Sequence, residues 1–114
     1  MMKTNGMTSF SDSYKKQIKF QEGVTGAACP GDNLGHFCYH MNAMTEELGE
    51  VMKADKRWKT HRNVRYEKEE KLDEIADVFI TAMNMAIHSG FDAHDIEQAI
   101  SDKISKNFIR LLSE

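Results

Sequence analysis

The fold of this chain is decided by one long segment, which runs from Leu72 to His88 and reads LDEIADVFITAMNMAIH. Apolar residues return in this segment every three or four positions, which is the period of an α-helix. They cover well over half of the helical circumference, so we expect a central helix that starts at about Glu67. Gly90 follows at the position where a left-handed residue commonly ends a helix.

Three further helical segments flank this central one. The first is expected from about Ser11 to Glu22, and the second begins after a cap at Asp32 or Asn33. The fourth follows Asp92, which resembles a capping box together with Asp95. Because no segment alternates apolar and polar residues with a period of two, the sequence predicts an all-α protein of four helices.

Composition limits what this chain can be. Its 114 residues suffice for one domain and not for two, so we expect a single domain over 1–114 in which 1–10 are disordered or extended. A net charge of −3 argues against a general nucleic-acid binder. The polar start and the lack of a long apolar stretch predict a cytoplasmic protein without a membrane partner. A slightly low hydrophobic content of 40% predicts a homo-oligomer that completes its core with a second copy.

Acidic residues recur at a helical spacing on two consecutive helices. The second helix carries Glu46, Glu47 and Glu50, and the third carries Glu74 and Asp77. A spacing of three places both carboxylates of a pair on one side of a helix. If the two helices pack antiparallel, the pairs face each other, and four carboxylates repel unless a divalent cation neutralises them. Oxygen ligands of this kind suit Mg²⁺, with Mn²⁺ as a substitute.

The simpler interpretation of such acids is a solvated helix face. That interpretation is the usual one for the Glu-Glu-x-x-Glu stretch taken alone. The pair Glu74 and Asp77 is more informative, because it lies on the one polar strip of an apolar helix. No Lys or Arg occurs from Leu72 to Asp102, so these acids lack basic neighbours in sequence. Together, the two pairs favour a metal site.

The ordered motifs resemble the signature of MazG-type all-α nucleotide pyrophosphohydrolases. Glu46-Glu47-Leu48-Gly49-Glu50 is followed, after 23 residues, by Glu74-Ile75-Ala76-Asp77-Val78, and the resemblance covers roughly Leu34 to Arg110. It implies Mg²⁺-dependent hydrolysis of nucleoside or deoxynucleoside triphosphates to monophosphate and pyrophosphate, with a role in nucleotide-pool cleansing. It also implies helices that pair across a homodimer or homotetramer interface. The Mg²⁺ ligands it implies are Glu47, Glu50, Glu74 and Asp77.

The resemblance also suggests the catalytic and phosphate-binding residues. Glu46 and Glu47 are the candidate catalytic residues, with Glu46 either orienting or deprotonating the attacking water or supporting the ligands. Lys103, Asn107 and Arg110 share one face of the fourth helix, an arrangement similar to one that contacts phosphates and sugar in that family. The alternative is a solvated basic face, with Asn107 as a buried amide that satisfies a backbone group.

Residues for the base are less clearly marked. His36 and His40 lie on the same side of the second helix as Glu47. They either contact the base or the phosphates of a nucleotide or are ordinary surface and capping histidines. Trp58 lies near the place where some relatives of that family hold a base-stacking aromatic residue. Phe20 and Phe37 are expected in the core instead.

A zinc site that combines the two histidines with Cys29 and Cys38 is disfavoured. Its spacing is irregular, and Cys38 is expected to point to the core.

Two other functions stay open at this stage. One is a dUTP- or phosphoribosyl-ATP-type hydrolase of the same superfamily, which a panel of nucleotides would distinguish. The other is a non-catalytic helical interaction module, which would bind no Mg²⁺. The absence of a Walker A motif argues against a P-loop enzyme.

Overall fold

The computed structural model describes residues 9–25, 33–59 and 64–113, and within these ranges the chain forms four helices and no strand. The all-α prediction is therefore confirmed. Phe10, which was expected to be disordered or extended, is the first residue of a helix, whereas 1–8 lie outside the described residues. The helices are α1 (Phe10–Thr25), α2 (Leu34–Asp55), α3 (Lys68–His88) and α4 (Ala93–Ser113).

The ends of α2 follow from local sequence. The Asn33 side-chain oxygen accepts a hydrogen bond from the backbone N–H of His36 at 3.2 Å, which confirms Asn33 as the N-cap. At the other end, Lys56 is left-handed with a φ of 67°, and its N–H donates to the Met52 carbonyl at 3.0 Å. This geometry ends α2 at Asp55.

A short turn joins α3 to α4 as the sequence predicts. Gly90 has a φ of 91°, the left-handed conformation that favours glycine and ends α3. The Asp95 N–H donates to the Asp92 carboxylate at 2.8 Å, and the Asp92 N–H donates to the Asp95 carboxylate at 3.1 Å. This reciprocal pair is the predicted capping box, and it starts α4 at Ala93.

The main interhelical contact is between α2 and α3, which run antiparallel. His36 near the start of α2 contacts His88 at the end of α3. At the opposite end, Lys71 of α3 forms a salt bridge of 2.6 Å with Asp55 of α2. Since both ends are paired in this way, the middle of α2 faces the middle of α3.

Helix α1 packs against α3 and against the start of α4. Tyr14 is fully buried, and its hydroxyl donates to the Phe91 carbonyl at 2.6 Å. Ala86, Ile87 and Ala93 complete the buried cluster around it. This small core fixes α1 across the turn between α3 and α4. None of the described helices is both long and apolar enough to cross a membrane.

Much apolar surface remains exposed in the single chain. Leu72 and Phe79 are 65% and 66% exposed, so the expectation that the whole apolar face of α3 is buried is wrong within one copy. Phe20 and Phe37 are also exposed rather than in the core, and so is Cys38. Phe37 and Phe79 line a cavity that α4 leaves open, because α4 contacts α1 near its own start and every described residue of α4 after Ile96 is exposed.

Candidate metal centre

Three of the predicted metal ligands come together between α2 and α3. Glu47, Glu74 and Asp77 each offer a carboxylate oxygen, and these oxygens lie within 4.8 Å of one another. Mg²⁺ binds oxygens at about 2.1 Å, which places neighbouring ligand oxygens about 3 Å apart and opposite ones about 4.2 Å apart in an octahedron. Small side-chain rotations would therefore bring this all-oxygen set to the geometry that Mg²⁺ requires.

Electrostatics at this cluster favour a cation. Burial raises the pKa of Glu47, and the charges of Asp77 and Glu74 raise it further. Burial likewise raises the pKa of Glu74, followed by the charge of Asp77. Among the described residues, no basic side chain forms an ion pair with any of the three. The repulsion is left without a local countercharge.

A nearby carboxylate on the same helix shows the contrast. Asp55 accepts from the Arg57 guanidinium at 2.7 Å and from the Lys71 ammonium at 2.6 Å. Hydrogen bonds from Arg57 and Lys71 hold the pKa of Asp55 well below its usual range. Among the described residues, two basic side chains thus pair with the carboxylate at one end of the α2–α3 contact, and none pairs with the carboxylate cluster.

The other two predicted acids stand at the edge of the cluster. The Glu50 carboxylate accepts from the Lys53 ammonium at 3.3 Å and lies outside the compact group of three. Its negative charge still contributes to the raised pKa of Glu74. Glu46 is exposed, and its charge contributes to the raised pKa of Glu47. The ligand role of Glu50 and the catalytic role of Glu46 stay predictions.

The two predicted histidines meet a third one at the other end of this contact. His36 and His88 approach at 3.2 Å between their Nδ1 atoms, and the His40 ring stacks on His88 at 4.5 Å between centroids. The Gln21 carboxamide oxygen lies 3.0 Å from His88 Nε2. His40 and His88 are buried, and burial lowers the pKa of each. We call His36, His40 and His88 the histidine cluster.

A cavity of about 550 Å³ opens beside the histidine cluster. Ala43 lines it one turn before Glu47, about 6 Å along α2. Asn84 lines it two turns after Asp77, about 10 Å along α3. The cavity and the carboxylates therefore belong to one groove. Its remaining lining residues are Phe20, Gln21, Val24, Gly35, His36, Tyr39, His40 and His88.

Trp58 lies at the opposite end of α2 from the predicted histidines. Its indole N–H donates to the Met52 carbonyl at 2.8 Å, so it helps to close the end of α2. The ring is 53% exposed, and the Lys59 ammonium lies 5.5 Å from its centre. The predicted base-binding residues are consequently divided between two places.

The predicted phosphate residues are not brought to the carboxylates within one chain. Lys103, Asn107 and Arg110 are all exposed on the part of α4 that projects beyond its contact with α1. Asn107 is therefore not a buried amide in the single chain. Among the described residues, none of the three forms a hydrogen bond or ion pair with the carboxylate cluster.

Sequence reasoning gave no role to several groove residues. Asn84 and His88 follow Asp77 by seven and eleven positions, which places them on the same helical strip, so periodicity could have marked them. Gln17 donates to Asn84 at 2.8 Å from α1, and Gln21 lies beside His88. No sequence signal marks these two glutamines, because their position depends on how α1 docks.

The disfavoured zinc site gains no support here. Cys29 lies outside the described residues, and Cys38 is exposed. Within the described ranges, Glu47, Glu74 and Asp77 form the group of metal-binding side chains that lie close enough together to hold an ion.

Comparison of the chain with models of known protein families, with curated proteins and with solved structures finds no match. Function is therefore inferred from the residues and their geometry.

Proposed function

We propose that this protein is a Mg²⁺-dependent hydrolase that converts nucleoside or deoxynucleoside triphosphates to the monophosphate and pyrophosphate. The observation that carries this proposal is the convergence of Glu47, Glu74 and Asp77, which form no ion pair with any described basic residue. Carboxylate oxygens of this kind hold Mg²⁺, and phosphate chains are the substrates that Mg²⁺ most often accompanies. The similarity of the two acidic motifs to those of MazG-type enzymes supports the same reaction.

Residues of this chain have distinct tasks in the proposed reaction. A bound Mg²⁺ supplies positive charge for the phosphate oxygens and lowers the pKa of a bound water. Glu47, Glu74 and Asp77 hold it, and Glu50 is the further candidate ligand. Glu46, beside Glu47 and open to solvent, orients the attacking water and accepts one of its protons.

The chemical step is a single displacement at phosphorus. The water oxygen bonds to the α-phosphorus, and the bond from that phosphorus to the bridging oxygen of the β-phosphate breaks. Pyrophosphate leaves, and the proton taken by Glu46 passes to solvent. No covalent bond to the protein is required.

The cavity beside the histidine cluster suits the base. It begins about 6 Å from Glu47 along α2, which is the reach of a nucleoside from its α-phosphate. Tyr39 offers an aromatic face, and His36, His40 and Asn84 offer hydrogen-bonding groups in a partly apolar wall. Trp58, at the far end of α2, is the weaker candidate for base contact.

A homo-oligomer would complete this site. Ile100, Ile104, Phe108 and Leu111 lie about half to two thirds exposed on α4, and an apolar cavity of about 450 Å³ between α1, α3 and α4 adds to the same face. A second copy that covers this face would bury the apolar residues. The Lys103, Asn107 and Arg110 of one copy would then reach the phosphates at the carboxylates of another. Sedimentation should give a dimer or tetramer.

The test is a nucleotide panel with analysed products. The protein is incubated with each NTP and dNTP, with modified bases included, with and without Mg²⁺, and the products are separated by ion exchange. We expect monophosphate and pyrophosphate, formed only with Mg²⁺, absent in Glu74→Gln and retained in Glu97→Gln. Glu97 is the matched control because it is an exposed glutamate on α4.

Each other outcome would assign a different function to this protein. A single preferred substrate such as dUTP or phosphoribosyl-ATP would assign the narrower hydrolase class. Diphosphate with orthophosphate would mean that a different phosphoanhydride bond is cleaved. No turnover of any nucleotide would favour a non-catalytic helical module. The preferred base would also indicate whether the protein removes unwanted nucleotides from the pool.

A further inference from the structure

The histidine cluster joins three helices. Gln21 of α1 approaches His88 of α3, and His88 in turn contacts His36 and His40 of α2. With the Gln21 oxygen as acceptor, His88 must carry its proton on Nε2. Its Nδ1 then accepts from the Nδ1–H of His36 at 3.2 Å. The bonds are all satisfied when both rings are neutral.

Protonation disturbs this arrangement. A proton added to Nδ1 of His88 removes the acceptor of this bond and sets N–H against N–H across 3.2 Å, unless His36 changes tautomer. A charged His40 would stack at 4.5 Å on a charged His88. Like charges at this separation repel strongly where water is excluded.

Among the described residues that line the adjoining cavity, none carries a negative charge that would neutralise added positive charge. From α1 the cluster is faced by the amide of Gln21, and from α3 by the amide of Asn84. From α2 it is faced by Tyr39, whose ring stands edge-on to His40. No carboxylate occurs among the described residues that line the adjoining cavity. Within the described part of the chain, protonated histidines here would be buried positive charges without an acidic partner.

We propose that His36, His40 and His88 form a pH-sensitive latch that holds the C-terminal half of α1 on the α2–α3 pair and opens on acidification. The N-terminal half of α1 has its own anchor, since Tyr14 is fully buried and bonded to the Phe91 carbonyl. Opening therefore separates the region around Gln21 from the groove without unfolding the whole chain. The base cavity, which shares these residues, widens at the same time.

The direction of the pH effect follows from linkage. Burial, followed by the neighbouring histidines, lowers the pKa of His40 and of His88 below the ordinary 6.5. The unfolded or opened state therefore binds protons more readily than the closed state. The latch contributes its full stability above about pH 6.5 and loses it as the pH falls below that value.

Amide hydrogen exchange on the whole protein tests the latch. Protection factors, corrected for the intrinsic pH dependence of exchange, are measured for residues 17–24 and for the first half of α1 between pH 7.5 and 5.5. We expect protection of 17–24 to fall at least tenfold while that of the first half holds. His40→Gln should weaken this pH dependence, and the control His94→Gln, an exposed histidine on α4, should keep it.

A second measurement keeps the test decisive if His40→Gln does not fold. Histidine ring protons of the unaltered protein are titrated by NMR. Midpoints below 6.5 for His40 and His88, together with loss of α1 protection over the same range, would support the latch. Equal pH dependence in the two variants, or protonation of both rings with 17–24 still protected, would overturn it. Neither measurement depends on nucleotide hydrolysis.

Discussion

The groove between α2 and α3 holds carboxylates in its middle and histidines at one end, about two turns apart. Burial acts on both clusters, and in both it disfavours the charged form. It therefore raises the pKa of Glu47 and Glu74 and lowers the pKa of His40 and His88. The same helix pair consequently contains two groups whose pH responses have opposite signs.

The signs follow from the ordinary pKa values. The raised pKa of the glutamates means that their ionised form costs stability above the raised value, and this cost disappears as the pH falls below about 4.5. The histidines instead lose their stabilising contribution as the pH falls below 6.5. The repulsion between the carboxylates can be relieved by a divalent cation as well as by protonation. The middle of the groove is thus the candidate site for a metal ion, and the histidine end is the candidate site for a response to protons.

The largest effect is expected from Glu74→Gln. Removing one charge should lower Mg²⁺-dependent hydrolysis by about 10²-fold or more, since a catalytic metal supplies several kcal/mol of stabilisation. Without Mg²⁺ the same variant should melt at a higher temperature than the unaltered protein, because a repelling carboxylate is gone. Steady-state kinetics and calorimetry in EDTA measure the two effects. A lower melting temperature in EDTA would contradict the repulsion at this cluster.

Mg²⁺ itself should stabilise the protein by binding to the carboxylate cluster. At a hundred times its Kd, a ligand stabilises the folded state by about 2.7 kcal/mol, which is a shift of roughly 10 °C or more for a domain of this size. Asp77→Asn should abolish most of this shift, whereas Glu97→Gln should leave it intact. Thermal denaturation with increasing MgCl₂ at pH 7.5 provides the measurement. An undiminished shift in Asp77→Asn would place the ion elsewhere.

A substitution in the cavity beside the histidine cluster should affect nucleotide binding more than turnover. Tyr39→Ala removes an aromatic face of the cavity, and an aromatic contact is worth about 0.5–1.5 kcal/mol. We expect KM for the preferred nucleotide to rise about three- to tenfold with kcat changed by less than about twofold. Initial-rate kinetics at pH 7.5 separate the two constants. A fall in kcat with KM constant would assign Tyr39 to the chemical step.

The smallest effect is expected at Trp58, the other candidate for base contact. Trp58→Phe keeps a ring but loses the bond to the Met52 carbonyl. Because the residue is more than half exposed, stability should change by no more than about 0.5 kcal/mol. KM and base preference should stay as they are. A change of base preference in Trp58→Phe would move the base to this end of α2 and break the assignment of the cavity.

Local chemistry explains why so much of the fold was predictable. The Asn33 cap, the Gly90 turn and the Asp92–Asp95 capping box each depend on residues within a few positions of each other. The carboxylate cluster was also predictable. A spacing of three places both acids of a pair on one helix face, and antiparallel packing of α2 on α3 brings the two faces together. The position of Glu50 outside the compact group was not predictable, since Lys53 on its own helix is an alternative partner.

By itself, the sequence determined the four helices, the caps at Asn33, Gly90 and Asp92–Asp95, and the acidic faces that α2 and α3 turn toward each other. Only the tertiary structure decided that α1 brings Gln21 to His88, and that α4 leaves Lys103, Asn107 and Arg110 exposed beyond its contact with α1 in one copy. Periodicity reports which face of a helix is apolar, and it does not report which other helix, or which copy of the chain, covers that face. Docking depends on contacts between residues distant in sequence, such as the 77 positions that separate Tyr14 from Phe91.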